Sequence, residues 1–169
     1  MENNFTLGAH ETLNQVSEPW DFEKDQGAQD LEKKMIDFML ENKGIGLAAN
    51  QIGIAKRVFV MGSYSIPGFP EPFAVFNPQI LETSEEEILD TEGCLSFPDL
   101  YLKVNRPAWV RASYQDSKGN THEIKIDGYL AKCFQHELDH LNGICFVDKV
   151  GRVKLQLAMK KLRKRKINA

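Results

Sequence analysis

The chain has 169 residues, 42% of them hydrophobic and 27% charged, with a formal net charge of −3. That length supports one substantial core and is short for two ordinary domains, so residues 1–169 are expected to form a single domain. No internal repeat, long low-complexity linker or transmembrane run breaks it, and an odd number of cysteines, three, argues against a disulfide framework. The start, Met1-Glu2-Asn3-Asn4, has neither the basic and apolar regions of a signal peptide nor the basic, acid-poor character of a transit peptide. A cytoplasmic, reducing location is the expectation.

In chain order, Leu31, Met35 and Phe38 make the apolar stripe of a first helix, with Gly44 reading as its stop. The following Gly44-Ile45-Gly46 is not a nucleotide loop, because that fingerprint needs a preceding strand and a third glycine opening a helix. Arg57–Met61 and Phe73–Phe76 read as short strands, separated by a proline- and glycine-rich loop from Ser63 to Pro72. Trp109–Gln115 and Thr121–Ile126 flank Asp116-Ser117-Lys118-Gly119-Asn120, a hairpin signal. Between Asp127-Gly128 and Asn142-Gly143, the residues Leu130, Phe134, Leu138 and Leu141 recur at helical spacing. The last 20 residues, Val150–Ala169, hold eight of the chain's 21 Lys and Arg and none of its 24 Asp and Glu, leaving a net of −11 on the rest. There, Leu155, Ala158, Met159 and Leu162 give an amphipathic helix its apolar face. Strands around one buried helix, with helices at both ends, predict an α+β fold of short antiparallel sheets.

The central helix carries the chemistry. Gln135-His136-Glu137-Leu138-Asp139-His140 contains His-Glu-x-x-His. Residues four apart share a helix face, so His136 and His140 can grip one metal ion. Glu137, about 100° further round, stands beside that ion, where a carboxylate can take a proton from water. A third ligand must come from elsewhere: Cys94, Cys133, Cys145 or a carboxylate. Cys133 falls on nearly the same face, but lies about 7.5 Å along the axis from a metal held between the histidines. With a Zn–S bond of about 2.3 Å it is too short to reach comfortably and reads as a packing residue. Cys145 begins another apolar run. Cys94 stands in Thr91-Glu92-Gly93-Cys94-Leu95-Ser96-Phe97-Pro98, where the glycine permits close approach of backbone and ligand.

Three separated motifs, Gly44-Ile45-Gly46-Leu47-Ala48-Ala49-Asn50-Gln51, Glu92-Gly93-Cys94-Leu95-Ser96 and Gln135-His136-Glu137-Leu138-Asp139-His140, occur in the order and spacing of one family. From about Glu11 to the C-terminal helix the chain resembles the peptide deformylases, which remove the formyl group from the N-terminal methionine of new polypeptides and release formate. The resemblance implies Cys94, His136 and His140 as metal ligands, with a fourth position for water, and Glu137 as general base and acid. It implies the Gln51 side-chain amide and the Leu95 backbone N–H as oxyanion donors, although Gln51 alone reads as an ordinary surface amide. Ile45, Gly46 and Gly93 would contact the substrate backbone like an added strand, and Cys133 is a further substrate-contact candidate. The implied metal is Fe²⁺, with Zn²⁺ or another divalent ion able to substitute.

Several positions depart from the family's commonest pattern. Asn50 stands where proline is frequent, which should alter loop stiffness more than chemistry. Tyr101 replaces an arginine thought to contact substrate beyond methionine, and Asp90 replaces a hydrophobic pocket residue of some members. Glu92 and Arg106 are either a pair that holds the cysteine segment or two unrelated surface charges. The basic tail, residues 152–166, is by composition a solvated helix end; the resemblance raises docking on the ribosome near the nascent-chain exit. Neither DNA nor membrane is an expected partner, and the tail has no large aromatic anchors. Two other functions stay open: a metallopeptidase using the same helix, and a non-catalytic ribosome-binding module with a structural metal.

Overall fold

The computed structural model describes residues 5–7 and 11–167. Met1–Asn4, read above for targeting signals, and the last two residues of the tail lie outside them. The first helix, α1 (Ala28–Glu41), buries Met35, Phe38 and Met39. It is followed by β1 (Gly46–Ala48), a 3-10 turn over Ala49–Ile52, and β2 (Val58–Met61). Strands β3 (Phe73–Thr83), β6 (Trp109–Gln115) and β7 (Thr121–Asp127) complete a five-stranded antiparallel sheet in the order β1-β2-β3-β6-β7. Strands β4 (Glu87–Cys94) and β5 (Phe97–Pro107) form a separate two-stranded hairpin. Helix α2 (Gly128–Leu141) lies between the two sheets, and α3 (Arg152–Ile167) follows a 3-10 turn at Phe146–Lys149.

The helices, the loop Ser63–Pro72 and the hairpin turn fall where the sequence places them. The turn is held by the Asp116 carboxylate, which accepts the N–H groups of Lys118 and Asn120 at 2.9 Å. Three details differ. Helix α1 does not stop on a left-handed Gly44: Lys43 takes the positive φ, 56°, and the Gly44 N–H donates to the Met39 carbonyl at 2.9 Å. A Cβ on Gly44 would lie 2.7 Å from the Leu95 side chain, so glycine serves close approach here. Strand β3 runs on to Thr83 through Pro78, because a register shift between Phe76 and Gln79 takes the proline out of the ladder. Strands β4 and β5 are absent from the sequence reading. Five of the eight β4 residues are exposed in a row, from Glu87 to Thr91, so no alternation marks the strand.

Helix α2 is the axis of the molecule. Its apolar face, with Ala131, Phe134 and Leu141 buried and Leu130 and Leu138 partly so, packs on Phe59, Met61, Val110 and Ala112 of the large sheet. Phe134 meets Phe59 edge-on at 5.1 Å between ring centroids. The tail helix lays Leu155, Ala158, Met159 and Leu162 against Leu100, Leu102, Val104 and Phe146, yet none of its residues is fully buried. Truncating Phe134→Ala empties the contact that seats α2 on the sheet. A loss of about 3–5 kcal/mol in unfolding free energy is expected, read by chemical denaturation.

Candidate metal centre

The spacing in α2 stacks His136 and His140 with ring centroids 4.8 Å apart and nearly perpendicular planes, 80°. Their Nε2 atoms approach to 3.2 Å. Cys94 arrives from the tip of the β4–β5 hairpin, where only Leu95 and Ser96 separate it from its partner Phe97. Its Sγ lies 3.3 Å from His140 Nε2. The three donor atoms all fall within 4.8 Å of one another. Nitrogen and sulfur ligands at bond lengths of about 2.0 and 2.3 Å around a tetrahedral ion have mutual separations of this size, so the residues fit a divalent metal. A thiolate with two imidazoles suits zinc or ferrous iron. Neither Cys133 nor Cys145 joins the group, as the axial argument requires for Cys133.

Around the donors sits a charged network that orients them. Glu92 Oε2 is 2.9 Å from His136 Nδ1, which fixes the tautomer that leaves Nε2 free for a ligand bond. Its carboxylate also takes the Arg106 guanidinium at 2.5 and 3.0 Å. Arg106 in turn reaches Asp139 Oδ2 at 2.7 Å, and Lys149 reaches the same oxygen at 3.1 Å. Burial raises the Glu92 pKa, but the bonds from His136 and Arg106 outweigh it and hold the carboxyl at about 2. Glu92 and Arg106 are therefore a buried pair and not two surface charges. Burial also drives His140 well below its usual range, so it stands as the neutral imidazole a metal requires.

Glu137 is buried, with Oε2 lacking any hydrogen-bond partner, and burial pushes its carboxyl up to about 7. It lies against Gly46, where a Cβ would stand 2.8 Å from the carboxyl carbon. Only glycine lets β1 pass this close. Gln51 is 1% exposed, which overturns its reading as a surface amide. Its Oε1 accepts the Ala48 N–H at 2.8 Å, and its amide nitrogen donates to Ser96 Oγ at 3.0 Å and faces Cys94 Sγ at 3.5 Å. Asn50, read as a matter of loop stiffness, is fully buried and donates through Nδ2 to the His140 carbonyl and, at 3.3 Å, to that of Thr12. It ties the metal helix to the turn before Gln51, as a proline could not.

Ile45, Gly46, Gln51, Gly93, Cys94, Leu95, His136 and Glu137 all line one cleft of about 560 Å³. Cys133 faces a smaller adjoining cavity of about 60 Å³ with Ile45, Tyr129 and Lys132. Lys132 is held there by Asp90 at 2.5 Å. The sequence reading assigned no part to Asp139 or Ser96, whose charge or hydroxyl only the assembled site connects to the ligands.

A family model described as polypeptide deformylase matches residues 3–156. The peptide deformylase of Zymomonas mobilis is 44% identical over 144 residues, 83% of this chain and 81% of its own length. That of Mesorhizobium japonicum is 41% identical over 152 residues, 90% of this chain and 86% of its own length. Among solved structures, a Synechococcus elongatus peptide deformylase in complex with actinonin superposes with a TM-score of 0.85 at 36% identity, covering 95% of this chain and 88% of that one. The peptide deformylase of Thermus thermophilus gives 0.83 at 34% identity, covering 97% and 95%. Similarity of this extent, in sequence and in backbone, makes the chain a member of the peptide deformylase family of hydrolases.

Proposed function

We propose that this protein deformylates formyl-methionyl peptides with Cys94, His136 and His140 holding a divalent ion and Glu137 moving the proton. The observation that carries this reading is the unpartnered Glu137 carboxyl oxygen, buried beside three converging metal donors and opening on the same cleft. Three protein donors, not four, characterise a site that keeps a position for chemistry. When bound, the ion supplies Lewis acidity, lowering the pKa of water and polarising the formyl carbonyl. The donor set suits Fe²⁺, the ion we assign in the cell, with Zn²⁺ able to replace it. A thiolate beside ferrous iron calls for the reducing cytoplasm as its location.

The side chains then divide the work. Glu137 accepts a proton from the attacking water and delivers it to the methionine nitrogen as the C–N bond breaks and formate leaves. The Gln51 amide and the Leu95 backbone N–H donate to the carbonyl oxygen as it gains charge; each such donor is worth about 3–4 kcal/mol in the transition state. β1 is an edge strand of the large sheet. Its neighbour Ile45, with Gly46 and Gly93, offers main-chain groups to an extended peptide. Cys133, a thiol that burial keeps protonated, forms with Ile45 and Tyr129 an apolar wall for the methionine side chain. Residues 1–169 act in this reading as one catalytic domain. Its tail, residues 152–166, turns cations outward above a packed apolar face, a surface suited to the ribosome near the nascent-chain exit. No described helix is long and apolar enough to cross a membrane.

Formate release from a short formyl-Met peptide, under anaerobic conditions with Fe²⁺ and with a chelated control, tests the core of the proposal. Glu137→Gln should cut kcat by about 10²–10⁴-fold while leaving metal content intact. Because burial sets Glu137 at about 7 and a nearby cation lowers that value, kcat/KM of the parent should fall on acidification along a limb below pH 7. A rate that rises as the pH drops would contradict a base at this position.

Arg106→Gln leaves Glu92 buried without its main cation. A stability loss of about 3–5 kcal/mol by denaturation is expected, with metal affinity about 10–100-fold weaker by competition with a chelator. Co-sedimentation with ribosomes at low salt, lost at high salt, checks the tail; equal recovery at both would exclude an electrostatic contact.

A further inference from the structure

The β4–β5 hairpin is irregular at one place. Glu92 pairs with Leu102 and Cys94 pairs with Phe97, so one residue on β4 faces four on β5. The excess, Pro98–Tyr101, swings out of the ladder with Asp99 at a positive φ of 65°. Asp99, Leu100 and Tyr101 line the catalytic cleft on one side. On their other side they form one wall of a second groove of about 350 Å³, whose opposite wall is α3. The two cavities are neighbours across a single backbone excursion.

Helix α3 contributes Lys154, Lys161 and Arg165 to that groove, over an apolar strip that includes the exposed Leu157. At about 100° per residue these three cations fall within roughly 40° of one another, on the flank of the helix nearest the cleft. Arg152 and Arg163 lie on the other flank, and Lys160 and Lys164 point away from the packed face. None of the three groove cations has a hydrogen-bond or ion-pair partner among the described residues, and the groove holds one acid, Asp99. Like charges at positions 161 and 165, four apart, cost helix stability. From Lys154 to Arg165 the stripe is about 16 Å long, which matches some five residues of extended peptide.

We propose that this groove is a downstream substrate subsite: it receives an extended segment of the peptide leaving the cleft and selects acidic side chains on it. The inference rests on the deformylase reading of the cleft and assigns a sequence preference that the metal centre does not provide. Charge complementarity favours carboxylates, and the shared Asp99–Tyr101 wall brings peptide rather than a separate partner to the cations. The outward-facing cations of α3 remain free for a polyanion.

The test uses the full-length, metal-loaded protein and three peptide amides: formyl-Met followed by five alanines, and the same chain with glutamates or lysines as its last three residues. Formyl-Met-Ala serves as a short reference. The glutamate peptide should exceed the alanine peptide in kcat/KM by about three- to tenfold at low salt, mainly through KM. The lysine peptide should fall below it, and the differences should vanish near 1 M salt, where screening acts within about 3 Å. Replacing Lys154→Gln, Lys161→Gln and Arg165→Gln together should erase the preference and leave formyl-Met-Ala turnover unchanged. The matched triple Arg152→Gln, Arg163→Gln and Lys164→Gln should retain it. Fluorescence anisotropy of the labelled, unformylated glutamate peptide reads the groove without turnover, so failure of the deformylase reading is seen separately as absent formate release from formyl-Met-Ala. The subsite is overturned by a parent enzyme that treats the three peptides alike, by equal losses in both triple variants, or by a groove variant that loses ribosome co-sedimentation while keeping peptide selectivity.

Discussion

A carboxylate on one sheet holds the whole arrangement together. Glu92, buried on β4, hydrogen-bonds His136 and Arg106, both on other elements, and Arg106 passes the connection back to α2 through Asp139. These bonds lock the hairpin that carries Cys94 to the helix that carries the histidines at the site itself, while Lys132 to Asp90 and Gln135 to the Pro107 carbonyl add ties further along α2. Desolvating so many charges is expensive, and the cost is offset only because each has an opposite partner at 2.5–3.1 Å. The return is orientation: a fixed His136 tautomer and a fixed hairpin tip. The same closure explains why the polar face of α2 is buried at all: His136 and His140 meet Cys94 only when the hairpin covers them, while Glu137 Oε2 is left without a partner.

Most of this was legible because it is local. Histidines four apart on a helix report their own geometry, and the rejection of Cys133 followed from helical rise alone. The apolar stripes of α1 and α2 and the Trp109–Gln115 hairpin strand are likewise set by neighbours in sequence. The third ligand was not readable in this way. Cys94 stands on the other sheet; the glycine beside it marks the segment, but only the resemblance to a known family makes it the expected ligand.

What escaped was mostly long-range or irregular, although β5 carries a clean alternation, burying Leu100, Leu102, Val104 and Arg106. Strand β4 has a charged, exposed face that erases alternation, and β3 includes a proline that only a register shift accommodates. Asn50 illustrates the difficulty well: an amide among apolar residues looks like an ordinary variation, yet its partner, the His140 carbonyl, lies 90 positions away. Gln51 was similar, since its burial depends on β1 and the hairpin tip meeting. Glu92 and Arg106 read equally as a pair or as two unrelated charges, because residues 14 apart on adjacent strands look the same in sequence either way.

The Pro98–Tyr101 excursion has an architectural consequence. It begins after Phe97, beyond the residues that carry Cys94, and the ladder resumes in register at Leu102. A segment bounded on both sides by paired strand can change length or composition while its anchors stay in place. Leu100 is pinned in the core beneath α3 and the Tyr101 ring lies against Gly93, so the latitude falls to the exposed Pro98 and Asp99. Selection or design acting on those two positions would reshape the rim of the cleft while Cys94 and its neighbours beneath keep their places.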